Sequence, residues 1–116
     1  MHMPKLIEHT YSYGKSYRFF CPGCGNYHMF DVRTDGEHPS WTFDGNMDRP
    51  TFSPSLLCNP NHPPSRCHLF LKNGMIQFLG DCHHRLAGQT VELLDDETAM
   101  DKLRREVPQN EVVEGK

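Results

Sequence analysis

Cys21-Pro22-Gly23-Cys24-Gly25 sits between two runs, residues 17–21 and 27–32, that are rich in aromatic and β-branched side chains. That pattern predicts two strands of a hairpin with the cysteine turn at its tip. A C-x-x-C turn presents two thiolates to one ion, and the glycines let the backbone curl so that both sulfurs point inward. The fold is therefore expected to grow around a metal knuckle.

A closed zinc site needs four soft ligands at about 2.0–2.3 Å, so a second pair must come from elsewhere. Downstream the chain offers Cys67-His68 and Asp81-Cys82-His83-His84. Cys67 is the expected third ligand. Cys82 and His84 compete for the fourth place, with His84 favoured; read as strand residues they share one face, so spacing does not choose between them. Cys58 lies in a proline-rich stretch and reads as a bystander thiol. His28 follows Cys24 by four residues and is a local ligand candidate, although an ordinary strand histidine is the plainer reading. His9, His38 and His62 carry no pattern and read as surface residues.

Outward from these motifs the chain reads as turns and short strands. Residues 41–43 (Trp-Thr-Phe) form a brief strand within a polar stretch. Residues 51–57 are extended, but Pro50 and Pro54 restrict them to an edge or an irregular segment. Residues 59–66 hold three prolines and form a loop. Two apolar β-type runs, 67–72 and 75–79, flank Asn73-Gly74, the preferred type I′ hairpin turn. Residues 89–94 suggest one more strand. Asp95 or Asp96 would cap a terminal helix ending near Val107, before Pro108. The expectation is a small β-rich (α+β) domain over residues 17–107: a zinc-knuckle hairpin and a second hairpin around one structural zinc, with a C-terminal helix outside. Residues 1–16 read as an N-terminal extension and 108–116 as a disordered tail.

Bulk properties narrow the function. The 116 residues carry a formal charge of −3, with 12 basic and 15 acidic side chains. This argues against a binder of nucleic-acid backbones, which normally presents a basic face. No run approaches the roughly 18 apolar residues of a membrane span. No charged and then apolar leader opens the chain, so a cytoplasmic protein is expected. Five cysteines clustered with histidines fit metal chemistry in a reducing compartment better than a disulfide framework.

The polar residues left over gather at predicted strand ends around the Asn73-Gly74 hairpin: Ser53, Ser55, His68, Asp81 and one of His83 or His84. Ser55 follows a proline, which holds its backbone. His68 follows a metal-ligand candidate and so points to the opposite face of its strand. A serine activated by histidine, with an acid orienting the imidazole, performs acyl transfer in hydrolases. The plain alternative is solvated Ser and His, and no nucleophile-elbow motif is present. A rival reading keeps three protein ligands on a catalytic zinc, with Asp81 as general base. Thiolate-rich sites and the lack of an H-E-x-x-H helix weigh against it.

Trp41-x-Phe-Asp-Gly45, Arg49-Pro-Thr-Phe-Ser-Pro-Ser55, Cys67-His68, Asn73-Gly74-x-Ile-Gln-Phe-Leu79 and Asp81-Cys-His-His84-Arg-Leu-Ala-Gly-Gln-Thr-Val91 together resemble a family of small Cys/His domains from phages and prophages. Its members are often labelled ammonia monooxygenase. These residues give that label no support, lacking a copper-type ligand set and a membrane span. More distant relatives are encoded beside bacterial ubiquitin-like conjugation genes and look like zinc-containing serine-type peptidases. The resemblance covers residues 17–94. It implies Ser55 as nucleophile, His68 as base and Cys21, Cys24 and Cys67 on the metal. Some relatives have serine at the position of Cys82, which favours His84 as fourth ligand. Asp81 as third catalytic partner is suggested by its place along the chain.

The resemblance thus implies a zinc-stabilised peptidase or esterase acting on ubiquitin-like conjugates or C-termini, with a phage copy serving counter-defence. The competing reading is a zinc-bound adaptor or inhibitor without chemistry, binding a host protein through exposed Trp41 and Phe43. A nucleic-acid-binding zinc ribbon ranks last.

Overall fold

The computed structural model describes residues 4–36 and 40–106. Eight strands form two antiparallel sheets. The first holds β1 (Ile7–Tyr11), β2 (Gly14–Cys21) and β3 (Asn26–Arg33), in that order. The second is a five-stranded meander of β4 (Thr42–Phe43), β5 (Phe52–Cys58), β6 (Cys67–Lys72), β7 (Met75–Phe78) and β8 (Thr90–Glu92). One helix, α1 (Asp96–Glu106), closes the described chain. No helix among the described residues is long and apolar enough to cross a membrane.

Both expected hairpins form, and each is part of a larger sheet. The knuckle hairpin is β2–β3, with Cys21 paired to Asn26 across the turn. Residues expected to be a separate N-terminal extension instead supply β1, which pairs with β2 from Ile7↔Arg18 to Tyr11↔Gly14. This gives β2 a neighbour on each side and buries Leu6. The second hairpin turns at Asn73 and Gly74, whose φ angles of 49° and 75° are those a type I′ turn demands. Asp95 caps α1, accepting the Thr98 backbone N–H at 2.8 Å. Acidic residues at the helix start and Arg104 and Arg105 near its end suit the helix dipole. Val107 and the tail from 108 to 116, like His38, lie outside the described residues.

Aromatic stacking joins the sheets. Phe30 of β3 lies parallel to Phe52 of β5 with centroids 4.1 Å apart, and Phe43 stacks on the same ring at 4.5 Å. Tyr17 and Phe19 extend this layer along the first sheet. Leu69, Leu71, Ile76 and Phe78 line the second sheet's inner face, fully buried or nearly so. Their alternation with His68, Phe70 and Gln77 is the period-2 signature of a strand packed on one side. Helix α1 packs on the other face of β2 through Ala99, and Tyr27 donates its hydroxyl to Asp96 at 3.0 Å.

The proline-bearing segment differs from expectation in one respect. β5 is not an edge strand, since β4 covers one side and β6 the other. It is irregular, as the prolines require: the register slips between Phe52 and Leu56, with a bulge at Ser53-Pro54-Ser55. Phe52 and Leu56 stay buried while the bulged residues turn outward.

Because Phe52 contacts aromatic rings from both sheets, Phe52→Ala is expected to destabilise the fold by about 3–5 kcal/mol. A urea titration would show a lower midpoint with an unchanged slope.

Candidate active site and metal centre

Strand β6 positions two different kinds of chemistry. Cys67 faces inward and is fully buried; His68, one residue on, faces outward and is partly exposed. On that outer face Leu57 of β5 stands opposite His68. Ser55, two residues before Leu57, is its diagonal neighbour, within reach of an imidazole across a strand pair. Ser55 Oγ lies 3.2 Å from His68 Nε2. On the other side of the ring, His68 Nδ1 lies 3.4 Å from Asp81 Oδ2. Serine, imidazole and carboxylate therefore stand in line on the outer face of the second sheet.

Each member is held by its surroundings. The β5 bulge turns Ser55 outward, and the Trp41 indole N–H donates to the Ser55 carbonyl at 3.2 Å. Trp41 is itself tied to β3 by its backbone N–H to the Asp31 carbonyl at 2.8 Å. Asp81 sits in the turn after β7. That turn is pinned to β6 by the Leu79 N–H on the His68 carbonyl at 2.9 Å. Cys82 adds a second clamp: its thiol accepts the His68 N–H at 3.3 Å and donates to the His68 carbonyl at 3.2 Å.

On the inner face Cys21, Cys24, Cys67 and His84 converge, with one donor atom from each within 4.8 Å of the others. This is the set expected from the sequence, and it draws on both sheets. Three sulfurs and one imidazole at this spacing can hold a metal ion and suit tetrahedral zinc. The choice between Cys82 and His84 rests on the turns that follow β7. Residues 82 and 84 are not on a strand, as the sequence reading had them. The chain curls so that Cys82 meets the His68 backbone while His84 Nε2 lies 3.5 Å from Cys67 Sγ. His84 packs edge-on against Phe78 and lies directly over Gly23, where an added Cβ would collide with the ring atoms. Gly23 thus serves the site by leaving room for His84.

The sulfurs of the cluster perturb one another strongly. The Cys24 thiol is held far below its usual range, first by Cys21 and then by Cys67, while Cys21 and then Cys24 push Cys67 far up. Three crowded sulfurs cannot all carry charge without a counter-ion, and a bound metal supplies one. Burial pulls the His84 pKa down, favouring the neutral ring.

Two further histidines stand beside the cluster, one of them, His28, a local ligand candidate from its spacing to Cys24. His83 Nε2 lies 3.3 Å from Cys24 Sγ, an outer contact that no spacing rule marks. His28 faces the cysteines from β3. Cys58, read as a bystander, pairs across the sheet with Cys67 and has its sulfur 3.5 Å from His28 Nδ1. Trp41 and Phe43, expected to form an exposed docking patch, are instead packed against the core. The binding surface on which the adaptor reading relied is absent there.

A family model described as bacterial ubiquitination-like system serine protease (BubE) matches residues 2–79. The chain belongs to this family. No curated protein and no solved structure matches it. The BubE match includes Ser55, His68, Cys21, Cys24 and Cys67; Asp81 and His84 follow within a few residues of its end.

Gly23→Ala is expected to push His84 aside and weaken metal binding by roughly 10–100-fold, a range seen when ligand orientation is lost. Competition with a chromophoric chelator would measure it. Stripping the metal from the unmutated protein should lower its thermal midpoint by roughly 10 °C or more, because ligand binding at such sites is largely folding energy.

Proposed function

We propose that this protein is a serine-type peptidase or esterase that cleaves the acyl bond at the C-terminus of a ubiquitin-like protein, with a structural zinc holding the catalytic face in register. The observation that carries the proposal is the line Ser55 Oγ–His68 Nε2–His68 Nδ1–Asp81 at 3.2 and 3.4 Å. Membership of a protease family from ubiquitination-like systems supports the choice of nucleophile and of partner.

In this reading Ser55 Oγ attacks the carbonyl carbon of the substrate while its proton passes to His68 Nε2. Asp81 accepts from the Nδ1–H, keeping the tautomer that leaves Nε2 free to act as base. The imidazolium then returns its proton to the leaving amine or alcohol. Water, activated by the same imidazole, releases the acyl group from Ser55. Cys21, Cys24, Cys67 and His84 hold the metal behind β6, on the face opposite Ser55. The metal supplies a cross-link between sheets, and the proton transfers belong to His68. Removing such tags from conjugates would reverse the conjugating enzymes' work, and in a phage-encoded copy it would blunt host defence.

Incubating the full chain with a ubiquitin-like protein fused at its C-terminus to a reporter tests this. Cleavage should appear at the junction, and a fluorophosphonate probe should label Ser55. Ser55→Ala and His68→Ala should each lower kcat by roughly 10,000-fold or more, and Asp81→Asn by about 100- to 10,000-fold. Cleavage that survives Ser55→Ala would reject the serine mechanism.

A further inference from the structure

His28 projects from β3 toward the metal cluster, and its two ring nitrogens are treated very differently. Nδ1 lies 3.5 Å from the Cys58 sulfur. Nε2 is buried and has no hydrogen-bond partner. The ring stands edge-on against Phe19, centroids 5.7 Å apart, which fixes its plane. The sulfurs of Cys21, Cys24 and Cys58 stand beside the ring. A buried polar nitrogen without a partner is costly and rare, and beside a set of metal donors it calls for an acceptor of its lone pair.

We propose that His28 Nε2 is a direct ligand of the metal held by Cys21, Cys24 and Cys67, sharing the nitrogen position with His84. This rests on the reading of the cluster as a metal centre and names a donor beyond the four that converge there. The outer contacts of the two imidazoles favour it. A histidine that binds metal through one nitrogen carries its proton on the other, and that proton needs an acceptor. His28 meets the requirement: Nδ1–H would point at the Cys58 sulfur. His84 meets it poorly, since its Nδ1 faces a donor, the Leu86 backbone N–H, at 3.3 Å. The tautomer that accepts from Leu86 places the proton on Nε2, the nitrogen that approaches Cys67. Two imidazoles thus face one centre, and His28 is better prepared to ligate. The arrangement also gives Cys58 a role, as the acceptor that orients His28 from behind.

The test is cadmium-113 loading of the full chain labelled with nitrogen-15 histidine. The expected result is a scalar coupling between cadmium and His28 Nε2, with the His28 proton on Nδ1. A proton on Nε2 and no coupling would overturn the proposal and make His28 an outer donor to the thiolates. A chain that takes up no cadmium would overturn the metal centre itself, so the two failures are told apart. Variants supply a second readout. His28→Phe keeps the packing on Phe19 and removes both nitrogens. His28→Phe and His84→Ala should each retain one equivalent of metal at an affinity lowered roughly 10–100-fold, and the double variant should hold none stoichiometrically. His28→Phe binding cobalt with unchanged affinity and an unchanged visible spectrum would rule the ligand out.

Discussion

Consecutive residues of a strand face opposite ways, and at Cys67–His68 that rule divides one strand between two tasks. Cys67 joins the sulfurs contributed by the other sheet; His68 turns outward to meet Ser55 and Asp81. A slip of one residue in β6 would exchange the two faces, leaving an imidazole in the core and a thiol beside Ser55. Everything that fixes the register of β6 therefore serves both sites. The Asn73-Gly74 turn sets it against β7, the Leu56↔Leu69 and Cys58↔Cys67 pairs set it against β5, and the buried Leu69 and Leu71 hold the inner face.

The connection between the two faces runs through the backbone of His68. Its N–H and carbonyl are engaged by the Cys82 thiol, and its carbonyl also accepts from Leu79. The turn bearing these residues contains Asp81 and leads directly to His84. Asp81 and His84 are thus carried by one short loop, docked on one residue. On the opposite side Trp41 ties Ser55 to β3, so this serine is braced from the sheet that also carries the cysteine knuckle.

Much of this was legible in the chain. The knuckle, the Asn-Gly hairpin and the capped helix follow from local rules that tertiary packing did not override. Ser55, His68 and Asp81 were named because alternation places His68 opposite Cys67's face, and the family resemblance selected the serine. Other features depend on contacts distant in sequence. β1 looks polar because four of its five residues are exposed, and only pairing with β2 makes it a strand. Trp41 and Phe43 read as a surface patch because nothing local shows that Phe30 and Phe52 will stack beside them. Cys82 and His84 could not be separated on an assumed strand, since the turns after β7 decide where each points.

The metal donors are far apart along the chain, and this has a consequence for biosynthesis. Cys21 and Cys24 leave the ribosome well before Cys67 and His84, and β8 of the second sheet follows only after all four. The knuckle must wait for its partners across the intervening chain, and closing so long a loop is slow. Ser55 is likewise exposed to the cell before its acid partner exists. Until that loop closes, neither the four-donor cluster nor the line from Ser55 through His68 to Asp81 is complete.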